Sequence, residues 1–297
     1  MNYKKIVIAG SGVLGSQIAF QTAFHDFDVN VYDVNEEAIT VAKKRMENLK
    51  NVYGTFFKDE KRAEKAFESL HYFTDLAEAV KDADLIIEAV PERIEIKENF
   101  YSELAKVASK KTVFASNSST LLPSQFAEYT GRPEKFLALH FANEIWEKNT
   151  AEVMGHPETD IKYVEEVTEF AREIGMIPFV LKKEQSGYIL NSLLVPLLTA
   201  AMDLWVRDIA DPQTIDKNWM ISTGAPVGPF GFYDIIGMET PYNLNLMHAE
   251  TVPESKLAAE KIKKEMIDKG KMGVNSGEGF YTYPNPAYQD PNFLKQN

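Results

Sequence analysis

Through the first part of the chain, short apolar runs alternate with longer amphipathic stretches. The runs IVIAG, VNVYD, DLIIEAV, TVFASN, FLALHFAN and MIPFVLK are rich in β-branched and aromatic residues, and the stretches between them have helical periodicity. This alternation predicts an α/β domain with a doubly wound sheet, its strands joined by helical crossovers. A further run, AEVMG, reads as strand-like. One crossover is unusually long: EEAITVAKKRMENLKNVYGTFFKDEKRAEKAFESL lies between Asp33 and His71. Its apolar spacing and charge predict two amphipathic helices, a hairpin over about residues 36–70 that projects from the sheet.

The pattern changes at Lys182-Lys183-Glu184. YILNSLLVPLLTAAMDLWVRDIA is apolar enough for a buried interface helix, which Pro196 is expected to bend. Asp211-Pro212 supplies an N-cap and a first-turn proline for another helix. From there to Lys271 the chain shows helical stretches and Gly/Pro turns without a convincing strand. The expected organisation is an α/β domain over residues 1–184 followed by an all-helical domain over 185–297. A chain of 297 residues suits two domains of ordinary size.

Charge narrows the functions available. Asp and Glu number 44 against 32 Lys and Arg, a net charge of −12. Binding to nucleic acid or an anionic membrane draws on a basic face, so neither partner is expected. An anionic ligand must be held by local devices instead. The chain has no cysteine, which excludes disulfides, thiolate metal sites and thiol nucleophiles. The first residues run directly into a predicted strand, and no apolar run reaches the ~20 residues of a membrane span, so a cytoplasmic protein is expected.

One such local device follows the first run. Gly10-Ser11-Gly12-Val13-Leu14-Gly15 stands between a predicted strand and the helical run SQIAFQTAF, the context a GxGxxG turn requires. Gly10 would make the tight turn, Gly12 would admit a pyrophosphate close to the backbone, and Gly15 would let helix and strand pack closely. The helix N-terminus would then present N–H groups to the phosphates. Asp33 ends the second strand, where a carboxylate accepts both ribose hydroxyls of NAD and repels the 2′-phosphate of NADP. The domain is therefore expected to be of Rossmann type, with NAD as cofactor.

FLALHFAN places His140 at the end of a predicted strand, and Glu152 lies in the strand-like run that follows. A carboxylate beside an imidazole fixes its tautomer and stabilises its protonated form, as a general base requires. Taken alone, a histidine on an apolar strand reads more readily as a packed, hydrogen-bonded core residue.

The ordered set GSGVLG, Asp33, IEAVPE, SNSST, ALHFAN with Glu152 twelve residues after His140, GYILNSLLVPLL, GAPVGPFGFYDIIG and GEGFYTY resembles the L-3-hydroxyacyl-CoA dehydrogenase family over nearly the whole chain. Within it, VLGSQIAFQTAFH, FLALHFAN, KNTAEVMG and TIDKNWMISTGAP are similar to the bacterial diketoreductase branch. The resemblance implies that His140 is the acid/base, Glu152 its orienting partner, Ser119 a donor to the reacting oxygen and Asn191 a substrate-positioning residue. It also implies that Glu92, Lys97, Asn117 and Asn143 face the cofactor. The activity implied is hydride transfer between NAD and C3 of a 3-hydroxyacyl or 3-keto compound, without a metal. The family is commonly dimeric, so a homodimer is expected.

The family's usual HFFNP is replaced by HFANE followed by IWEKNT. Trp146 in this loop is a candidate wall of the substrate pocket, or equally a core residue. The hairpin region holds the CoA portion in the family, and Lys43, Lys44 and Arg45 either meet its phosphates or form a solvated face. The substrate is thus a small molecule, an acyl-CoA or a free keto or diketo ester, with a sugar acid as in the gulonate dehydrogenase branch as a further alternative. A different class, a noncatalytic NAD-binding protein of the λ-crystallin kind, shares the scaffold.

Overall fold

The computed structural model describes residues 3–295, which divide between Ile189 and Leu190 into two compact units. In the first, strands and helices follow in the order β1 (Lys5–Ala9), α1 (Val13–Phe24), β2 (Asp28–Tyr32), α2 (Glu36–Phe57), α3 (Glu60–Glu68), β3 (Leu70–Phe73), α4 (Leu76–Ala79), β4 (Leu85–Glu88) and α5 (Ile94–Val107). β5 (Val113–Ser116), β6 (Phe136–Phe141), β7 (Thr150–Gly155), α6 (Ile161–Glu173) and β8 (Ile177–Leu181) complete it.

The eight strands form one sheet in the order β3-β2-β1-β4-β5-β6-β7-β8. All neighbours are parallel except β6 and β7, which are antiparallel. Strands covered on both faces need apolar residues at successive positions, which explains the unbroken runs. In β1, Ile6 and Ile8 join a core with α1, α2, α3 and α6, while Val7 and Ala9 join a second core with α4 and α5. Leu85 and Ile87 likewise face the first core and Ile86 the second.

The long crossover forms two helices. Asn35 caps α2 by accepting from the Ala38 N–H at 2.8 Å, with Glu36 and Glu37 in the first turn. Lys58 ends α2 in a left-handed conformation (φ 54°), and Asp59 then caps α3 through the Arg62 N–H. The strand β3 was not expected from the sequence. It is four residues long at the sheet edge, with only Leu70 fully buried, so its apolar pattern is faint.

The second unit comprises α7 (Leu190–Val206), α8 (Pro212–Thr223), α9 (Pro229–Ile236), α10 (Glu239–His248) and α11 (Pro253–Glu265). α7 continues through Pro196, and Asp211 caps α8 through the Thr214 N–H with Pro212 in its first turn. Leu198, Met202 and Trp205 of α7 meet Met220, Phe230, Tyr233 and Ile262 in its core. Among the described residues no strand follows Leu181, although isolated bridges join Gly273 to Glu278 and Glu278 to Thr282.

Two buried aspartates tie this unit together. Asp216 accepts from the Phe230 and Gly231 N–H groups and the Tyr281 hydroxyl. Asp234 accepts from the Phe280 and Tyr281 N–H groups and the Tyr283 hydroxyl. The glycines of GAPVGPFGFYDIIG and GEGFYTY make room for them: a Cβ on Gly228 would stand 2.3 Å from Asp216 Cγ, and one on Gly279 2.0 Å from Asp234 Oδ1.

Candidate active site

The glycine turn sits where β1 meets α1, beside the end of β4. Gly10 has φ 98°, and a Cβ there would lie 2.5 Å from the Ala89 carbonyl oxygen. A Cβ on Gly15 would lie 2.0 Å from the Gly10 carbonyl oxygen, so these two glycines are required by packing. Gly12 is different. Nothing lies within 4 Å of its Cβ position, and no side chain caps the start of α1 there. The first N–H groups of this helix have no partner within it, which makes an open anion site.

A cavity of about 210 Å³ opens at this turn, lined by Gly12 to Gly15, Ala89, Val90, Glu92, Lys97, Asn117 and Ser119. Six residues expected from the sequence therefore meet here: Gly12, Gly15, Glu92, Lys97, Asn117 and Ser119. Asp33 follows β2 and is fixed before any ligand binds, since its Oδ2 accepts from Ser11 N–H (2.8 Å) and Ser11 Oγ–H (2.5 Å). The open position at Gly12 and the acidic group after β2 fit a dinucleotide. Arg45 Nη1 donates to the Ser11 carbonyl, so it is turned to the glycine turn, whereas Lys43 lies over the Tyr72 ring and Lys44 is exposed.

Lys97 is buried, with Nζ 2.6 Å from Glu88 Oε1 and 3.3 Å from Glu92 Oε2. Glu92 Oε1 accepts from Ser118 Oγ–H (2.6 Å) and from the N–H groups of Ser119 (3.0 Å) and Thr120 (2.8 Å). Burial pushes the Glu92 pKa up, but the Ser118 and Thr120 hydrogen bonds and the Lys97 charge outweigh it and bring it to about 2. Glu92 thus carries a permanent charge and grips the loop that bears Ser119.

His140 and Glu152 are directly opposite in the antiparallel pair β6–β7, so both side chains leave the same face. His140 Nδ1 is 3.1 Å from Glu152 Oε2, and its Nε2 is 3.1 Å from Ser119 Oγ. A carboxylate only accepts, so Nδ1 carries the ring proton and Nε2 accepts from the Ser119 hydroxyl. Nε2 thus faces Ser119, which lines the cofactor cavity. Asn117 Oδ1 accepts from the Phe141 N–H and so secures the end of β6. Asn143 is exposed in the turn beyond β6. Trp146 is half-buried and meets Tyr53 of α2 edge-to-face, with ring centroids 5.7 Å apart. Asn191 is the second residue of α7, in the other unit.

Several contributors escaped sequence reasoning. Glu88, fully buried, accepts from Lys97, Ser116 and Tyr101 side chains and from the Val90 N–H. Its signal was present in IEAVPE, a carboxylate closing an apolar strand. Ser11 and Tyr188 carried no signal of their own. Among the described residues no cluster of three or more His, Asp or Glu is placed to hold a metal, and no helix is long and apolar enough to cross a membrane.

A doubly wound sheet with an open glycine turn at its first helix and a carboxylate after its second strand is the frame of a dinucleotide-dependent oxidoreductase. The particular family follows from comparison. The 3-hydroxyacyl-CoA dehydrogenase NAD-binding domain matches residues 5–185, and the C-terminal domain of the same family matches residues 187–283. The chain belongs to the 3-hydroxyacyl-CoA dehydrogenase family, and is an oxidoreductase acting on CH–OH with NAD as cofactor. It is 33% identical to the mitochondrial hydroxyacyl-coenzyme A dehydrogenase of Rattus norvegicus over 288 residues, covering 94% of this chain and 91% of that one. It is 28% identical to a probable 3-hydroxybutyryl-CoA dehydrogenase of Bacillus subtilis, covering 95% and 98%. Among solved structures, a diketoreductase described as acting on dicarbonyl compounds shares 54% identity at a TM-score of 0.92, covering 95% of this chain and 100% of that one.

Proposed function

We propose that this protein interconverts a 3-hydroxyacyl compound and its 3-keto form, with His140 as the acid/base. The observation that carries this reading is the Ser119–His140–Glu152 hydrogen-bond chain beside the cofactor cavity. NAD, when bound, supplies the hydride acceptor. In oxidation His140 Nε2 takes the substrate hydroxyl proton while Glu152 stabilises the positive charge that develops on the ring. Ser119 donates to the reacting oxygen and Asn191 positions substrate from the helical unit. In reduction the ring returns the proton from Nε2 to the alkoxide. Asn117 and Asn143 are assigned to the cofactor side.

An acyl-CoA is the substrate implied by most relatives, through their names. The diketoreductase likeness favours a second substrate class, free keto or diketo esters. Trp146, in the turn between His140 and Glu152, is proposed to wall the substrate space on that side. Residues 1–184 would hold the cofactor and 185–297 the substrate side and a homodimer contact, supported by the exposure of Leu193 and Val195 on α7.

The test is NADH consumption with acetoacetyl-CoA and with a free diketo ester. Turnover of either is expected, and His140→Gln should lower it by at least ~10²-fold with NADH binding retained. Near-native turnover by His140→Gln would falsify the assignment. If neither compound is reduced, the sugar-acid alternative takes their place.

A further inference from the structure

Gly187 and Tyr188 both adopt left-handed backbone, at φ 78° and φ 53°. The second of these is unfavourable for a residue with a Cβ, and such conformations persist where surrounding contacts hold them in place. Here the contacts converge on one place. The Tyr188 ring is 1% exposed and lies against the His140 imidazole, centroids 4.3 Å apart and planes within 8°. Its hydroxyl donates to the Ser118 carbonyl at 2.7 Å, one residue before Ser119. The next N–H, of Ile189, donates to Glu152 Oε1 at 2.8 Å, on the carboxylate whose other oxygen meets His140. A single dipeptide therefore touches the ring of the base, the loop of the hydroxyl donor and the carboxylate behind the base.

We propose that Tyr188 is a positioning residue for catalysis, which holds the His140 ring in the plane that aims Nε2 at the reacting oxygen. This rests on the reading of His140 as the base. The ring can rotate only about its own side-chain torsions, and Glu152 at Nδ1 and Ser119 at Nε2 fix it along the line between these two atoms. A flat surface against one face removes the remaining freedom to tilt. The aromatic face also attracts the positive charge that the imidazole gains when it takes a proton. The hydroxyl tether to Ser118 keeps the surface in register with Ser119. Tyr188 does not itself meet the substrate in this account, so its loss should slow the chemical step and leave cofactor binding intact.

Two variants separate its parts. Tyr188→Phe keeps the flat ring and loses the tether, and should retain kcat within about threefold. Tyr188→Leu keeps apolar bulk and loses the flat surface, and should lower kcat by at least about tenfold, since small misplacement of a reacting group costs rate steeply. NADH dissociation constants should match the wild-type protein in both, while the melting temperature falls, more in Tyr188→Leu than in Tyr188→Phe, as loss of a buried ring or hydroxyl requires. An independent measurement is nuclear Overhauser contact between the His140 ring protons, assigned by their loss in His140→Gln, and the aromatic protons of residue 188. It should be present in the wild-type protein and in Tyr188→Phe. The proposal is overturned if Tyr188→Leu turns over at the native rate while His140→Gln does not. It is equally overturned if Tyr188→Leu loses kcat and NADH binding in equal proportion, or if the Overhauser contact is absent. An active His140→Gln enzyme overturns the underlying reading, and the proposal with it.

Discussion

Asp33 has a partner before it has a ligand. Its Oδ2 holds Ser11 through both N–H and hydroxyl, so the same carboxylate that would meet the NAD ribose also shapes the glycine turn. Asp33→Ala should weaken NADH binding by about 10- to 100-fold, the loss expected for hydrogen bonds to a charged group. NADPH binding should weaken less, because a phosphate-repelling charge goes with it. Fluorescence titration of both cofactors decides this, and an unchanged ratio of their affinities would sink the role given to Asp33. That residue was legible because position along the chain defines it, at the end of the second apolar run after a glycine turn. His140 and Glu152 were legible only as types and as a family match. A twelve-residue spacing does not by itself place two side chains on one face. The antiparallel register that does so depends on the turn between β6 and β7, where Gln17 Oε1 accepts from the Glu144 N–H across 127 residues of sequence. Tyr188 had no signature at all, because its contacts with the His140 ring and the Ser118 carbonyl are made only after folding.

The loop from Ser118 to Leu121 has no regular backbone hydrogen-bond ladder of its own, so the carboxylate of Glu92 does what a neighbouring strand would otherwise do. It gathers the Ser119 and Thr120 N–H groups and the Ser118 hydroxyl at one oxygen. Glu92→Gln keeps one acceptor oxygen but brings an amide NH₂ beside Lys97 and weakens each charge-assisted bond by roughly half. We expect faster hydrogen exchange at the Ser119 and Thr120 amides and a several-fold fall in kcat, with β-sheet amides unaffected. Unchanged exchange in this loop would show that the glutamate serves the cofactor alone. With a pKa near 2, Glu92 stays charged throughout the working range, so any acid limb in the activity profile belongs to another group. Elements with strong periodicity, the hairpin α2–α3 among them, were legible at their true positions. Local caps at Asn35 and Asp59 agree with the apolar pattern there. β3 was not legible: four residues at a sheet edge bury too little to stand out from a turn.

For the molecule as a whole, stability should carry a pH signature from Asp216, which has no exposed surface. Burial pushes its pKa up, the donated hydrogen bonds of Phe230, Tyr281 and Gly231 oppose this, and the charge of Asp234 adds to it, leaving a value of about 6. A pKa raised by folding means the folded state holds the proton more tightly, so the stabilisation is full below the unfolded value near 4 and is lost as pH rises through 6. The size is about 3 kcal/mol for a shift of about two units. Relative to Asp216→Asn, whose side chain does not titrate, the wild-type melting temperature should fall between pH 4 and pH 6.5 and then level off. A parallel pair of melting curves across that range would refute it. The two motifs around these aspartates were legible as family marks, whereas their purpose was not, since glycine spacing alone does not reveal which carboxylate comes near. Their geometry bears on how the protein is made. Phe280, Tyr281 and Tyr283 close onto residues 46 to 65 positions earlier, and Phe293 joins the same core. During synthesis the chain emerges N-terminus first, so α8 and α9 leave the ribosome with Asp216 matched only by the Phe230 and Gly231 N–H groups and with Asp234 still lacking Phe280, Tyr281 and Tyr283. Until residues 280–283 arrive, the Asp234 carboxylate awaits its donors, and the helical unit is expected to be more open to proteases than the finished domain.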